Sequence, residues 1–138
     1  MRKVEIEFVS EQQYHDDRES SKLKALGTMQ EIDGVKTISY TEPDTEMGKC
    51  ETIVKIINNH FIEMSRKGVY ETTFLIEEGK AHFCIYRTPF GEMSMDIVAQ
   101  RVNADIPDVS GKILLCYTLQ SNGDTIGENN LLMKINEV

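Results

Sequence analysis

Residues 61–88 read FIEMSRKGVYETTFLIEEGKAHFCIYRT. Polar and apolar residues alternate along this stretch with a period of two, the pattern of half-buried β-strands. Ile62 and Met64 share one face of segment 61–66. Tyr70, Thr72, Phe74 and Ile76 share one face of 69–76, and a third strand covers 81–88. Lys67-Gly68 and Glu77-Glu78-Gly79-Lys80 separate them, and both are turn sequences. Links this short cannot carry a parallel crossover, which needs a dozen or more residues. The three strands are therefore expected to run antiparallel, each beside the next.

The same rhythm extends in both directions. Upstream, strands are expected at about 3–9, 24–32, 35–42 and 50–57; downstream, at 92–102, 112–120 and 128–136. Asp33-Gly34 marks a tight hairpin, because both central positions of a primed turn need positive φ. Thr88-Pro89-Phe90-Gly91 and Asn122-Gly123-Asp124 supply further turns. Residues 10–22 (SEQQYHDDRESSK) are polar throughout and read as a loop, and 103–111 (NADIPDVSG) is the longest late loop. Leu23, Leu26 and Met29 have helical spacing, but Gly27 interrupts them. The fold class expected is all-β: an antiparallel meander of eight to ten strands closed into a barrel, since a long meander curls and hides its edges. Without a break in composition, residues 1–138 suit a single β-barrel domain.

Charge narrows the partners. The chain carries 23 Asp and Glu against 15 Lys and Arg, a net charge of −8. Nucleic acid and an anionic membrane surface would both be repelled at long range, so neither is expected as a partner. Cys50, Cys84 and Cys116 are odd in number and widely spaced. With the strand-like start MRKVEIEFVS, they point to free thiols in a reducing, cytoplasmic compartment. No apolar run is long enough to span a membrane.

Several residues read together as a family pattern: Tyr40-Thr41-Glu42, Gly48, Thr52-Ile53-Val54-Lys55, Arg66-Lys67-Gly68, Phe74, Gly79, Tyr86, Phe90-Gly91, and Gly111 with Tyr117. In this order, over roughly residues 35–137, they resemble the YwiB-like bacterial proteins, a family of unknown function. The resemblance implies a calycin-type barrel, similar in shape to lipocalins and fatty-acid-binding proteins, and it implies no activity.

The chemistry-bearing residues are few. His15, His60 and His82 lack metal-ligand spacing, and the cysteines form no C-x-x-C pair, so neither metal nor cofactor is expected. Cys84 and Cys116 sit among apolar strand neighbours, where a thiol is usually inert; Cys50, beside Lys49, would be reactive only if exposed. No nucleophile elbow or phosphate loop occurs, which weighs against an enzyme. Met64, Met93, Met95 and Met133 have inward phase, for which core filling is the plainest account.

Polar residues in phase with core residues are more telling. Arg66 follows Ile62 and Met64, Glu42 follows Ile38 and Tyr40, and Thr72 lies between Tyr70 and Phe74. Tyr117 follows Ile113 and Leu115. Lys55 is in phase with Ile53 and Ile57, although Thr52, Val54 and Ile56 make the other face nearly as apolar. A charge on an inner face must be paired or wet. The plainer reading puts Arg66 and Glu42 on a barrel rim, reaching water. The functional reading makes Arg66, Glu42, Lys55, Tyr40, Thr72, Tyr86 and Tyr117 a candidate ligand-binding set. On that reading the protein carries or senses a small amphipathic ligand in its lumen, with an Arg66–Glu42 pair inside. The alternative is a solid barrel acting as a protein-interaction module.

Overall fold

The computed structural model describes residues 1–14, 16–41 and 50–138. Ten strands follow in chain order: β1 (Arg2–Tyr14), β2 (Asp17–Ile32), β3 (Val35–Thr41), β4 (Cys50–Asn58), β5 (Phe61–Gly68), β6 (Thr72–Glu77), β7 (Ala81–Thr88), β8 (Gly91–Asp105), β9 (Gly111–Ser121) and β10 (Asp124–Glu137). No helix occurs among the described residues, so none is long and apolar enough to cross a membrane. The strands form one antiparallel sheet in the order β6-β5-β4-β3-β2-β1-β10-β9-β8-β7. The expected all-β meander of ten antiparallel strands, curled into a nearly closed barrel, is what the chain forms.

The turns follow the expected chemistry. Asp33 and Gly34 have φ of 53° and 81°, and Asn122 and Gly123 have 53° and 83°. These are the left-handed pairs that two-residue hairpins require.

Three expectations need correction. Residues 10–22 are not a loop: β1 and β2 pair without interruption out to Tyr14↔Asp17. The late loop is shorter than expected, because β8 continues to Asp105 past an irregularity between Ala99 and Arg101. Finally, β6 and β7 do not pair as a ladder, although only the Glu77–Lys80 turn separates them. They are the two edges of the sheet, joined at the single bridge Glu71↔Arg87. The turn bonds elsewhere: Glu78 N donates to His60 O, and Gly79 N to Ala99 O. Higher up, the hydroxyl of Thr72 donates to the carbonyl of Ile85 (3.1 Å), a position a backbone amide would take in a ladder. The first and last strands instead pair over a long ladder, from Val4↔Glu137 to Gln13↔Glu128, which joins β1–β6 to β7–β10 in one sheet and leaves the β6–β7 seam as the gap in the barrel.

The two ends of the barrel differ. At the end carrying the chain termini, Val4, Ile6, Ile38, Ile62, Ile76, Val102, Ile113, Met133 and Ile135 are fully buried. Each contributes about 1.5–3 kcal/mol of transfer free energy. Ile106 and Val109, in the β8–β9 connection, are buried over this end. Lys36 Nζ fastens that connection through the carbonyls of Ile106 and Asp108. This end is a solid floor. The other end is open.

Candidate functional site

Above the floor lies a cup of about 540 Å³. Its apolar wall is Phe8, Leu23, Met64, Phe74 and Leu131; its polar wall includes Ser10, Gln12, Tyr40, Arg66, Tyr117 and Asn129. Ser10, Gln12 and Ser21 come from the outer half of the β1–β2 hairpin. The segment mistaken for a loop therefore builds one side of the cup.

Strand register explains why these side chains converge. Arg66 pairs with Thr52, Thr52 with Tyr40, and Tyr40 with Gly27. On its other side Arg66 pairs with Thr72. The Glu71↔Arg87 bridge sets Tyr86 level with Thr72. A single cross-strand row thus runs Tyr86, Thr72, Arg66, Thr52, Tyr40. Directly opposed inward residues stand about 4.5–5.5 Å apart at their Cβ atoms. Gly27 ends the row because a Cβ there would meet the Ser39 carbonyl oxygen at 2.4 Å and the Tyr40 Cβ at 3.0 Å. A second polar row, Gln12, Asn129, Tyr117, crosses β1, β10 and β9.

Of the sequence candidates, Tyr40, Arg66 and Tyr117 line the cup. Tyr86 stands behind Arg66: its hydroxyl accepts from Arg66 Nη1 at 3.1 Å, and its ring packs against Tyr70 and Phe74. Thr72 is buried and ties the seam between β6 and β7. Arg66 also borders a groove outside that seam, beside Thr72, Phe83 and Ile85. Lys55 is misplaced by the sequence reading. It is exposed on the outer face, 3.9 Å from Glu63, because β4 turns Cys50, Thr52 and Val54 inward. Glu42, like His15, lies outside the described residues, and with it the Arg66–Glu42 pair. Thr52 and Asn129 were not singled out in the sequence, yet both are buried.

Burial shifts two groups. The Tyr117 hydroxyl is pushed up to about 12 by desolvation, against a smaller lowering by Arg66. It stays protonated, and a hydrogen-bond donor, at any physiological pH. Burial, helped by Asp96, pushes the Cys84 thiol up to about 11. Cys50 is buried as well, and the three cysteines are free. Cys84 is thus a poor nucleophile, as thiolate is the reactive form. Met64, Met95 and Met133 are buried as their phase suggested, and Met93 is half-exposed. His60 and His82 belong to separate contacts: His60 Nδ1 lies 2.8 Å from the Val102 carbonyl, and His82 Nε2 3.0 Å from Glu77 Oε1. The His82 contact holds the Glu77 carboxyl below its usual range. Among the described residues, no three His, Cys, Asp or Glu side chains gather to hold a metal ion.

Comparison with known proteins follows the fold. Residues 6–133 match the family model described as a domain of unknown function, DUF1934. The chain belongs to the DUF1934 family. Among solved structures it is similar to the crystal structure of the YwiB protein from Bacillus subtilis, with a TM-score of 0.89 and 18% identity. That alignment covers 99% of this chain and 92% of the other. The likeness of fold extends over nearly the whole chain, its first 34 residues included. No curated protein matches this DUF1934 chain.

Proposed function

We propose that this protein carries or senses a small amphipathic ligand held in the cup. The observation that supports this is the contrast between the two halves of the lumen. The floor is packed solid, while about 540 Å³ stays open directly above it between an apolar and a polar wall. Small-molecule sites have this size and this mixture, a mostly apolar lining with a few convergent polar groups. Leu23 is half-exposed although it lines the cup, and an apolar ligand body would cover it. Free thiols and an acidic surface suit work in the cytoplasm.

The interaction-module reading has its own observation: Phe83 and Ile85 are exposed on the outer face of β7, beside the seam. The two readings separate in native mass spectrometry of protein purified gently from its own cells, alongside Met64→Trp, which fills the cup. A small adduct of defined mass on the parent, absent from the variant, is the expected result. A parent that is bare in every preparation, and that gives no fluorescence enhancement with Nile red, removes the carrier reading.

A further inference from the structure

The seam between β6 and β7 is an open edge on both sides. Glu71 and Arg87 exchange both backbone bonds across it, N to O in each direction (3.0 and 2.9 Å). Backbone groups alternate sides along a strand. Those of Thr73 and Leu75 on β6, and of Phe83 and Ile85 on β7, therefore point into the seam as well. A ladder would join them, and none forms. Among the described residues, the one partner they find is the Thr72 hydroxyl, which donates to the Ile85 carbonyl.

The wall is parted here. A groove of about 530 Å³ follows the seam, bordered by outward-facing Thr73, Leu75, Phe83 and Ile85 and also by Thr72 and Cys84, which are buried on the inner face. Inner-face side chains are reached from outside only where the backbone stands apart. Edge strands are ordinarily blunted with charge or proline. The middle of β7 carries neither: Phe83 is 64% exposed and Ile85 39%, with Leu75 half-buried across the seam.

From this we infer that the seam binds an extended segment of a partner protein, which adds as a strand along the β7 edge and sets apolar side chains beside Phe83, Ile85 and Leu75. In strand addition, main-chain bonds supply the affinity and alternate side chains the selectivity. The partner is a different protein and not a second copy. Both edges of this sheet lie in the one seam, so among the described residues a second barrel has no free edge to offer. Room for the strand comes from the seam itself, which is spanned by one backbone bridge and the Thr72 hydroxyl where neighbouring strands elsewhere share a ladder. The inference rests on the interaction-module reading, names its partner, and is independent of the cup.

The test uses the acetylated, amidated peptide Val-Thr-Val-Thr-Val-Thr and the same peptide N-methylated throughout, which keeps the side chains and removes every main-chain donor. Both are titrated calorimetrically into the full chain, and amide hydrogen exchange is followed by NMR. In the free protein the amides of Thr73, Leu75, Phe83 and Ile85 are expected to exchange fast. Those of Phe83 and Ile85 should become protected when the plain peptide is added. The plain peptide should bind at least about tenfold more tightly than its methylated form, the worth of one or two main-chain bonds. Phe83→Lys, at an exposed site, should weaken it by about tenfold, with an unchanged circular dichroism spectrum showing that the variant is folded. Slow exchange of the four amides in a free monomer means that the seam is already zipped, and overturns the inference. Slow exchange in a parent that sediments as a dimer puts a second copy in the seam and overturns it too. Equal binding of the two peptides overturns strand addition and leaves Phe83 and Ile85 an apolar contact patch. Failure of both peptides to bind overturns the interaction-module reading with it. None of these outcomes bears on the cup.

Discussion

Tyr117 shows how the cup's chemistry is tied to stability. Its hydroxyl ionises near pH 10 in an unfolded chain but near pH 12 in the folded protein. Between those values the folded state holds more protons than the unfolded one, so stability falls as pH rises. The stabilisation is complete below pH ~10 and lost through pH ~12, on the order of 3 kcal/mol in all. Urea unfolding in steps across this window should show the decline in the parent, and Tyr117→Phe should flatten it. An identical decline in the variant would mean that other groups carry it. The residue itself was legible: Tyr117 follows Ile113 and Leu115 at steps of two, and so does Arg66 after Ile62 and Met64. Lys55 was not, because both faces of 50–57 are apolar and phase alone cannot choose between them. Asn129 was missed for the opposite reason. It is in phase with Leu131, Met133 and Ile135, but it sits in the polar run Glu128-Asn129-Asn130, which reads as solvent-facing.

At the level of elements, the β1–β2 hairpin shows why a strand can hide. Strand signals come from burial on one face. The outer half of this hairpin, Ser10 to Ser21, faces the wet cup on one side and solvent on the other, so both sets of side chains are polar. Ser10 and Ser21 meet across it at 2.6 Å. Here backbone pairing, continued from the buried half, holds the strands together without any apolar alternation. Gly27, lower on β2, was read merely as an interruption of a helical spacing. Its role is to let β3 approach where Tyr40 enters the lumen. Ordinarily Gly→Ala in a strand gains about 0.5–1 kcal/mol. At Gly27 a Cβ would press on backbone, so Gly27→Ala should instead cost about 1–3 kcal/mol, read from the urea midpoint. A stabilised variant would show that the two strands do not need this contact distance.

For the whole molecule, the antiparallel meander was legible because every link is short. The place where its ladder breaks was not. The stretch 61–88 looks most like an ordinary hairpin at Glu77–Lys80, yet this is where pairing fails. Local alternation reports which way side chains face, not whether neighbouring edges bond. That the first and last strands pair, and so leave the barrel's gap at the β6–β7 seam, is a non-local fact, decided by curvature summed over ten strands. It has a consequence for the order in which the barrel can be written. Read around the sheet, the strands run β7, β8, β9, β10, β1, β2, β3, β4, β5, β6, so a circular permutant starting at Lys80 and ending at Gly79 would pair each strand only with its neighbour in sequence. The native ends are already adjacent: Val138 N donates to Lys3 O at 3.0 Å, and Arg2 pairs with Glu137 at 2.5 Å. A few glycines would join them. Because topology sets folding speed through the sequence separation of contacts, such a permutant should refold faster than the parent in stopped-flow experiments while keeping its circular dichroism spectrum. Slower refolding would show that the Glu77–Lys80 connection, for all its lack of a ladder, organises the early barrel.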